Sequence, residues 1–273
     1  MSTVTLGEFM PAPTELEIDP KNHIASVVKA TRILESFDRE SPELSIQDLV
    51  ERCGYTRTTT YRILDTLELT GWIERTASGG YKMTLRVFEL ASSVLGSFDL
   101  RTEASHVMSD LAAQYDENVY LVVPDGARAV CLDLIESSRP VRVMSLSVGR
   151  SLPLFIGGAP LALLAELEDT FLSRVLATGP LATPSGKPVP EEHLRQVLAE
   201  TRARGYAISL EDVTPGVAAL GACIFDRTGR PVAALSFGGF LANFTQPRQD
   251  ELAAALIDGA QRISYRLGFR GKP

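Results

Sequence analysis

Apolar residues recur at Val27, Val28, Ala30, Ile33, Leu34 and Phe37, the spacing of one helix face. The next stretch, SPELSIQDLVERCG, turns Ile46, Leu49 and Val50 inward behind Ser45, an N-cap with Asp48 three residues on, and stops at Gly54. Thr56 caps a third helix, in which Thr60, Ile63, Leu64 and Leu67 share one side. Arg57, Thr58, Tyr61, Arg62 and Asp65 share the other. Two helices joined by a tight glycine turn, the second with a basic and hydroxylic face, follow helix-turn-helix grammar. Trp72 and Ile73 then open a strand, Ser78-Gly79-Gly80 turns the chain, and Tyr81, Met83 and Leu85 alternate in a second strand. A hairpin directly after a helix-turn-helix makes a winged helix.

Beyond it, Val87, Phe88, Leu90, Ala91, Val94, Leu95 and Phe98 give a wide apolar helix face. Such a face fits contact with a second subunit, and packing on its own domain accounts for it equally well. NVYLVVPDGARAVCLDLIES predicts two strands joined at Pro124-Asp125-Gly126, and VRVMSLSVG predicts another. GAPLALLAELED and EEHLRQVLAETRARG predict helices, the second closed by Gly205. GVAALGACIFDRTGRPVAALSFGG predicts a hairpin across Asp226 to Gly229, and a closing helix runs from near Pro247 to Gly268. ATGPLATPSGKPVPEE is a surface loop. Hairpins followed by separate helices argue for α+β. The expected division is a frayed tail over 1–22, a winged helix over 23–84, a linker helix over 85–99 and a mixed domain over 100–270.

Charge narrows the function. Lys and Arg number 27 against 34 Asp and Glu, a net charge of -7, so an anion-binding surface must be local. The cysteines Cys53, Cys131 and Cys223 form no C-x-x-C pair, which argues against a structural metal or disulfide framework and fits a reducing cytoplasm. The first twenty residues carry acids and prolines but no Lys or Arg and no apolar h-region, unlike a signal peptide. No run reaches the length of a membrane helix.

The third helix therefore carries the candidate chemistry. A major groove admits a helix and offers guanine O6 and N7 to a guanidinium fork, while hydroxyls hold phosphates. Arg57 and Arg62 are assigned to this face, one reading a base and the other holding a phosphate. Thr58, Thr59 and Tyr61 are backbone anchors, and Arg75 and Lys82 are wing contacts. Catalysis is not expected: His23, His106 and His193 form no H-x-x-x-H, and no G-x-S-x-G or phosphate loop occurs. No metal or cofactor is called for. The alternatives are a metabolite-binding adaptor that has lost DNA contact, or a cofactor-free hydrolase using Cys223.

In their order and spacing, LSIQDLVERCGYTRTTTYRILDTLELTGWIE, YKMTLRVFELAS, VGRSLPLFIGGAPLALLAEL and the segment from Leu194 to Gly239 resemble an IclR-type bacterial transcriptional regulator over roughly residues 24 to 268. The resemblance implies a homodimer, often paired into a tetramer, that binds a palindromic operator. It also implies a GAF-like C-terminal domain holding a small metabolite, with Gly158, Ala159, Cys223 and Ser236 at ligand-facing positions. Phe155, Pro160, Leu161 and Gly238 depart from the family's more polar pattern, which points to a larger or less polar effector, an organic or aromatic acid.

Overall fold

The computed structural model describes residues 24–38, 41–95, 100–139 and 146–271, with the backbone alone for 91–95. The tail over 1–22, His23, the end of the linker helix at 96–99 and the segment 141–145 lie outside the described residues. The chain forms two compact units, the first ending at Phe98 and the second beginning at Asp99.

The first unit runs α1 (Ala25–Glu35), β1 (Glu43–Leu44), α2 (Ile46–Cys53), α3 (Arg57–Leu69), β2 (Ile73–Arg75), β3 (Tyr81–Met83) and α4 (Arg86–Leu95). A reciprocal capping box starts α2: Asp48 N–H donates to Ser45 Oγ at 3.2 Å, and Ser45 N–H donates to the Asp48 carboxylate at 2.8 Å. The Ser45 hydroxyl also donates to the Asp48 carboxylate at 2.7 Å, and this bond foremost, with that from the Ser45 N–H, holds the Asp48 carboxyl below its usual range. Gly54 ends α2 at φ 69, a conformation that a side chain disfavours, and Thr56 caps α3 by accepting the Thr59 N–H at 3.3 Å. Ile33, Leu49, Leu64, Leu67, Ile73 and Tyr81 close over one core, so helix packing fixes which face of α3 remains outside.

Two details depart from the pattern reading. A two-residue strand, β1, joins the hairpin to give the order β1-β3-β2, pairing Leu44 with Tyr81. The second hairpin strand stops at Met83, and Leu85 is 80% exposed. Thr84 ends the alternation because its hydroxyl donates to the Gly71 carbonyl at 2.5 Å and accepts the Arg86 N–H at 3.3 Å, redirecting the chain into α4.

The second unit contains α5 (Leu100–Tyr115), β4 (Asn118–Asp125), β5 (Arg128–Ile135), β6 (Ser151–Pro153), α6 (Gly158–Glu166), α7 (Asp169–Leu176), α8 (Glu191–Arg204), β7 (Ala207–Leu210), β8 (Val217–Phe225), β9 (Pro231–Phe240) and α9 (Gln246–Arg266). Its six strands order as β6-β5-β4-β9-β8-β7 through antiparallel pairings. Alternation sends Val119 and Leu121 to the face covered by α5 and α9, and Tyr120 and Val122 to the face covered by α6, α7 and α8. The expected α+β class is borne out. The strand expected over 141–149 is not found in its described part. Leu146 to Gly149 lead into a turn, with Gly149 at φ 83, and the strand begins at Ser151. The pattern reading passed over α7 and β7. In β7 Ala207 and Ser209 are buried, Ile208 is half-buried against the α5 and α9 face and Leu210 is exposed, so its alternation has little apolar contrast.

Helix α6 is buried from Gly158 to Ala165 and presses its first turn onto β8. A Cβ at Gly158 would lie 2.7 Å from the Leu220 carbonyl carbon, and one at Gly221 would overlap the Gly158 carbonyl. Backbone meets backbone here, and only glycine on both sides permits it. Gly221→Ala should therefore destabilise the second unit by about 1–3 kcal/mol through overpacking, read as a lower melting temperature with the first unit's transition unchanged.

Candidate nucleic-acid interface and ligand pocket

On α3, Arg57, Thr58, Tyr61, Arg62 and Asp65 are exposed, while Thr60 and Leu64 are fully buried on the opposite side. The guanidinium of Arg57 lies 5.8 Å from the centroid of the Tyr61 ring, a cation–π contact that orders both side chains before any ligand arrives. Among the described residues neither Arg57 nor Arg62 makes an ion pair. Thr59 is half-buried and belongs to the helix cap: its N–H donates to Thr56 Oγ, and its own Oγ accepts the Thr56 hydroxyl at 3.0 Å.

The wing cations are placed differently. Arg75 reaches back to α3, with Nη2 3.3 Å from Asp65 and Nε 3.2 Å from Glu68, and lies over the Tyr81 ring at 5.3 Å. Lys82 Nζ sits 2.9 Å from the Glu74 carboxylate, its direct partner across β2 and β3, and this hydrogen bond raises the ammonium above its usual range. At the wing tip the Thr76 and Ser78 hydroxyls donate to Glu43, and these bonds, that of Ser78 foremost, hold the Glu43 carboxyl below its usual range. Exposed pairs of this kind contribute little to stability, because solvent screens them. Their effect on a polyanion is larger, because each cation arrives with a carboxylate beside it. The free positive charge of this unit's candidate contacts is thus on α3.

In the second unit a pocket opens where the N-terminus of α6 meets β4, β8 and β9. Its empty volume is about 440 Å³ with the open mouth included. Tyr120, Val122, Leu152, Val213 and Val217 supply apolar walls, and Gly158, Ala159 and Ser236, which the family resemblance put at ligand-facing positions, also line it. Asn118 Nδ2 donates to the Tyr120 hydroxyl at 3.2 Å. Gly238 also lines the pocket, and a Cβ there would lie 2.9 Å from the Tyr120 ring, so the missing side chain makes room for the aromatic one. Phe155 and Leu161 pack into the core beneath α6 rather than into the pocket.

Cys223 is not among the lining residues. It lies on the same face of β8 as Ala219 but four residues farther along, roughly 13 Å at strand rise. The contact between Gly158 and Gly221 falls between the two and walls the cysteine off. Its Sγ instead approaches the Ala233 and Ile224 carbonyls at 3.5 and 3.9 Å. Cys131 is buried, and that burial pushes its thiol up to about 12. Neither arrangement activates a nucleophile. Tyr120, Ser209 and Asp212 are pocket residues that pattern reading missed, because the sheet and the β7–β8 connection gather them from distant segments.

A winged helix with uncompensated arginines on α3, followed by a mixed domain with a mostly apolar pocket, defines a ligand-responsive DNA-binding regulator. Comparison with known proteins places it more narrowly. The IclR helix-turn-helix domain matches residues 26–77, and the Bacterial transcriptional regulator IclR C-terminal domain matches residues 92–265. The chain belongs to the IclR family of transcriptional regulators. It is 31% identical over 250 residues to the HTH-type transcriptional regulator KipR of Bacillus subtilis, covering 91% of this chain and 99% of that protein. The crystal structure of the Thermotoga maritima IclR superposes with a TM-score of 0.71 at 27% identity, covering 90% of this chain and 100% of the other. An IclR homologue from Microbacterium hydrocarbonoxydans, complexed with 4-hydroxybenzoate, shares the fold with a TM-score of 0.75 at 24% identity, over 89% and 98% of the two chains. The curated relatives are transcriptional regulators, and the hydrolase alternative is not favoured. Among the described residues no helix is long and apolar enough to cross a membrane.

The contrast between helix and wing can be measured. Arg62→Ala should lower the salt dependence of operator binding by about one unit of log K per log [salt] if Arg62 neutralises a phosphate. Arg75→Gln should weaken binding while leaving that slope unchanged, because it unpins the wing without removing a free cation.

Proposed function

We propose that this protein is a cytoplasmic homodimer, able to pair into a tetramer, that binds a palindromic operator through α3 and changes its affinity when a small molecule occupies the α6 pocket. The observation that carries this reading is the exposure of Arg57 and Arg62, without ion pairs among the described residues, on a helix whose opposite face is fully buried. Thr58 and Tyr61 supply hydroxyls on the same side, suited to phosphate oxygens. Arg75 and Lys82 set the wing's position more than they add contacts, because both are neutralised within the unit.

A two-fold dimer calls for half-sites about one helical turn, ~10 bp, apart or a multiple of it. The pocket supports an effector with an apolar body, since aromatic and aliphatic side chains make most of its wall. Occupancy alters transcription only through unequal affinity for the DNA-competent and incompetent arrangements of the dimer.

DNA fragments recovered with the purified protein supply the operator. On that operator at fixed salt, Arg57→Ala or Arg62→Ala should cost about 1–3 kcal/mol for whichever arginine reads a guanine. Unchanged affinity in both variants would sink the assignment of this helix face.

A further inference from the structure

The polar groups of the pocket are arranged for one kind of ligand end. Asp212 lies on its wall, half-buried in the β7–β8 connection, and its carboxylate accepts the Gly157 N–H at 3.2 Å at the start of α6. The Ser209 hydroxyl donates to the same carboxylate. The Ser236 hydroxyl donates to the Leu220 and Phe237 carbonyls at 2.7 and 3.1 Å, so its proton is engaged and lone pairs remain for a ligand. Pro160, in the first turn of α6, has no N–H to offer. Ala159 N is pressed against the backbone of Gly221. Among the described lining residues there is one charged side chain, Asp212, and no Lys, Arg or His.

The start of a helix ordinarily attracts an anion. Here the chain supplies that anion itself. A ligand carboxylate docked at the same point would face a resident negative charge, in a wall that lowers the local dielectric. A hydroxyl or ammonium would meet the remaining acceptor lone pairs of Asp212 and Ser236.

We propose that Asp212 sets the effector's polarity: the pocket takes a small molecule that presents a hydrogen-bond donor, hydroxyl or amino, to the start of α6, and any carboxylate it carries points away from that end. This rests on the reading of the pocket as the effector site. It inverts the ordinary preference of a helix start for a ligand carboxylate.

Three probes with the same ring test it on the full-length chain by calorimetric titration: benzylamine, benzyl alcohol and benzoate. Wild type should bind the amine and the alcohol at least about tenfold more tightly than benzoate, a difference of about 1.4 kcal/mol. Asp212→Asn, which keeps an acceptor for the Gly157 N–H, should bring the three within about threefold of one another by weakening the amine and strengthening benzoate. Benzoate binding tightest to wild type overturns the proposal. So does an Asp212→Asn variant that weakens all three alike, because that marks a role confined to holding the loop.

Ala219→Trp, or Ala219→Leu where the tryptophan variant does not fold, fills the pocket and should abolish binding of every probe. Probes that bind this variant as well as wild type, or that do not bind wild type at all, refute the pocket as the effector site, and the polarity rule falls with it.

Discussion

Everything in the second unit is positioned by one contact without side chains. The first turn of α6 rests on β8 with Gly158 against Leu220 and Gly221, close enough that a methyl group on either side would collide with backbone. That approach sets the depth of the helix on the sheet, and so the height of the pocket above Ala218 and Ala219. It places the Gly157 N–H within reach of Asp212 and separates Cys223 from the cavity. Dispersion energy at such a spacing is modest per atom pair. Its structural consequence is larger than its energy, because three walls of the pocket take their positions from it.

The first unit depends on a different economy, that of charge. A chain with a net charge of -7 cannot attract DNA by composition, so its free cations must be few and aimed. Burial of Thr60, Leu64 and Leu67 orients α3, and the capping box at Ser45 and the Thr56 cap begin the two helices at defined residues. Arg75 then ties the wing to α3 through Asp65 and Glu68, with its guanidinium over the Tyr81 ring. Acids that look like obstacles to DNA binding therefore fix the geometry in which Arg57 and Arg62 project.

Much of this was legible in the chain. The helices of the first unit announce themselves by caps and by apolar spacing, and the late hairpin by its alternation and Asp226-Gly229 turn. What escaped was whatever depends on contacts between distant segments. Leu44 is a lone apolar residue until it pairs with Tyr81, and β7 has too little apolar contrast to stand out. The charge on Arg75 is plain in the sequence; the two carboxylates that neutralise it, seven and ten residues away, become partners only after the hairpin folds back. Cys223 was put at a ligand-facing position by the family resemblance, which does not say how far a covering helix extends along β8 in this chain. Asp212 lies in an irregular connection where pattern carries no information.

Gly238 and Tyr120 carry a consequence for how this pocket drifts over evolutionary time. The ring occupies the space a side chain at 238 would need, so the two positions are mutually exclusive rather than independent. A side chain introduced at 238 would be rejected here unless the aromatic shrank in the same lineage. Epistasis of this kind makes the order of substitutions matter, and pocket residues grafted singly between homologues will misreport what each contributes.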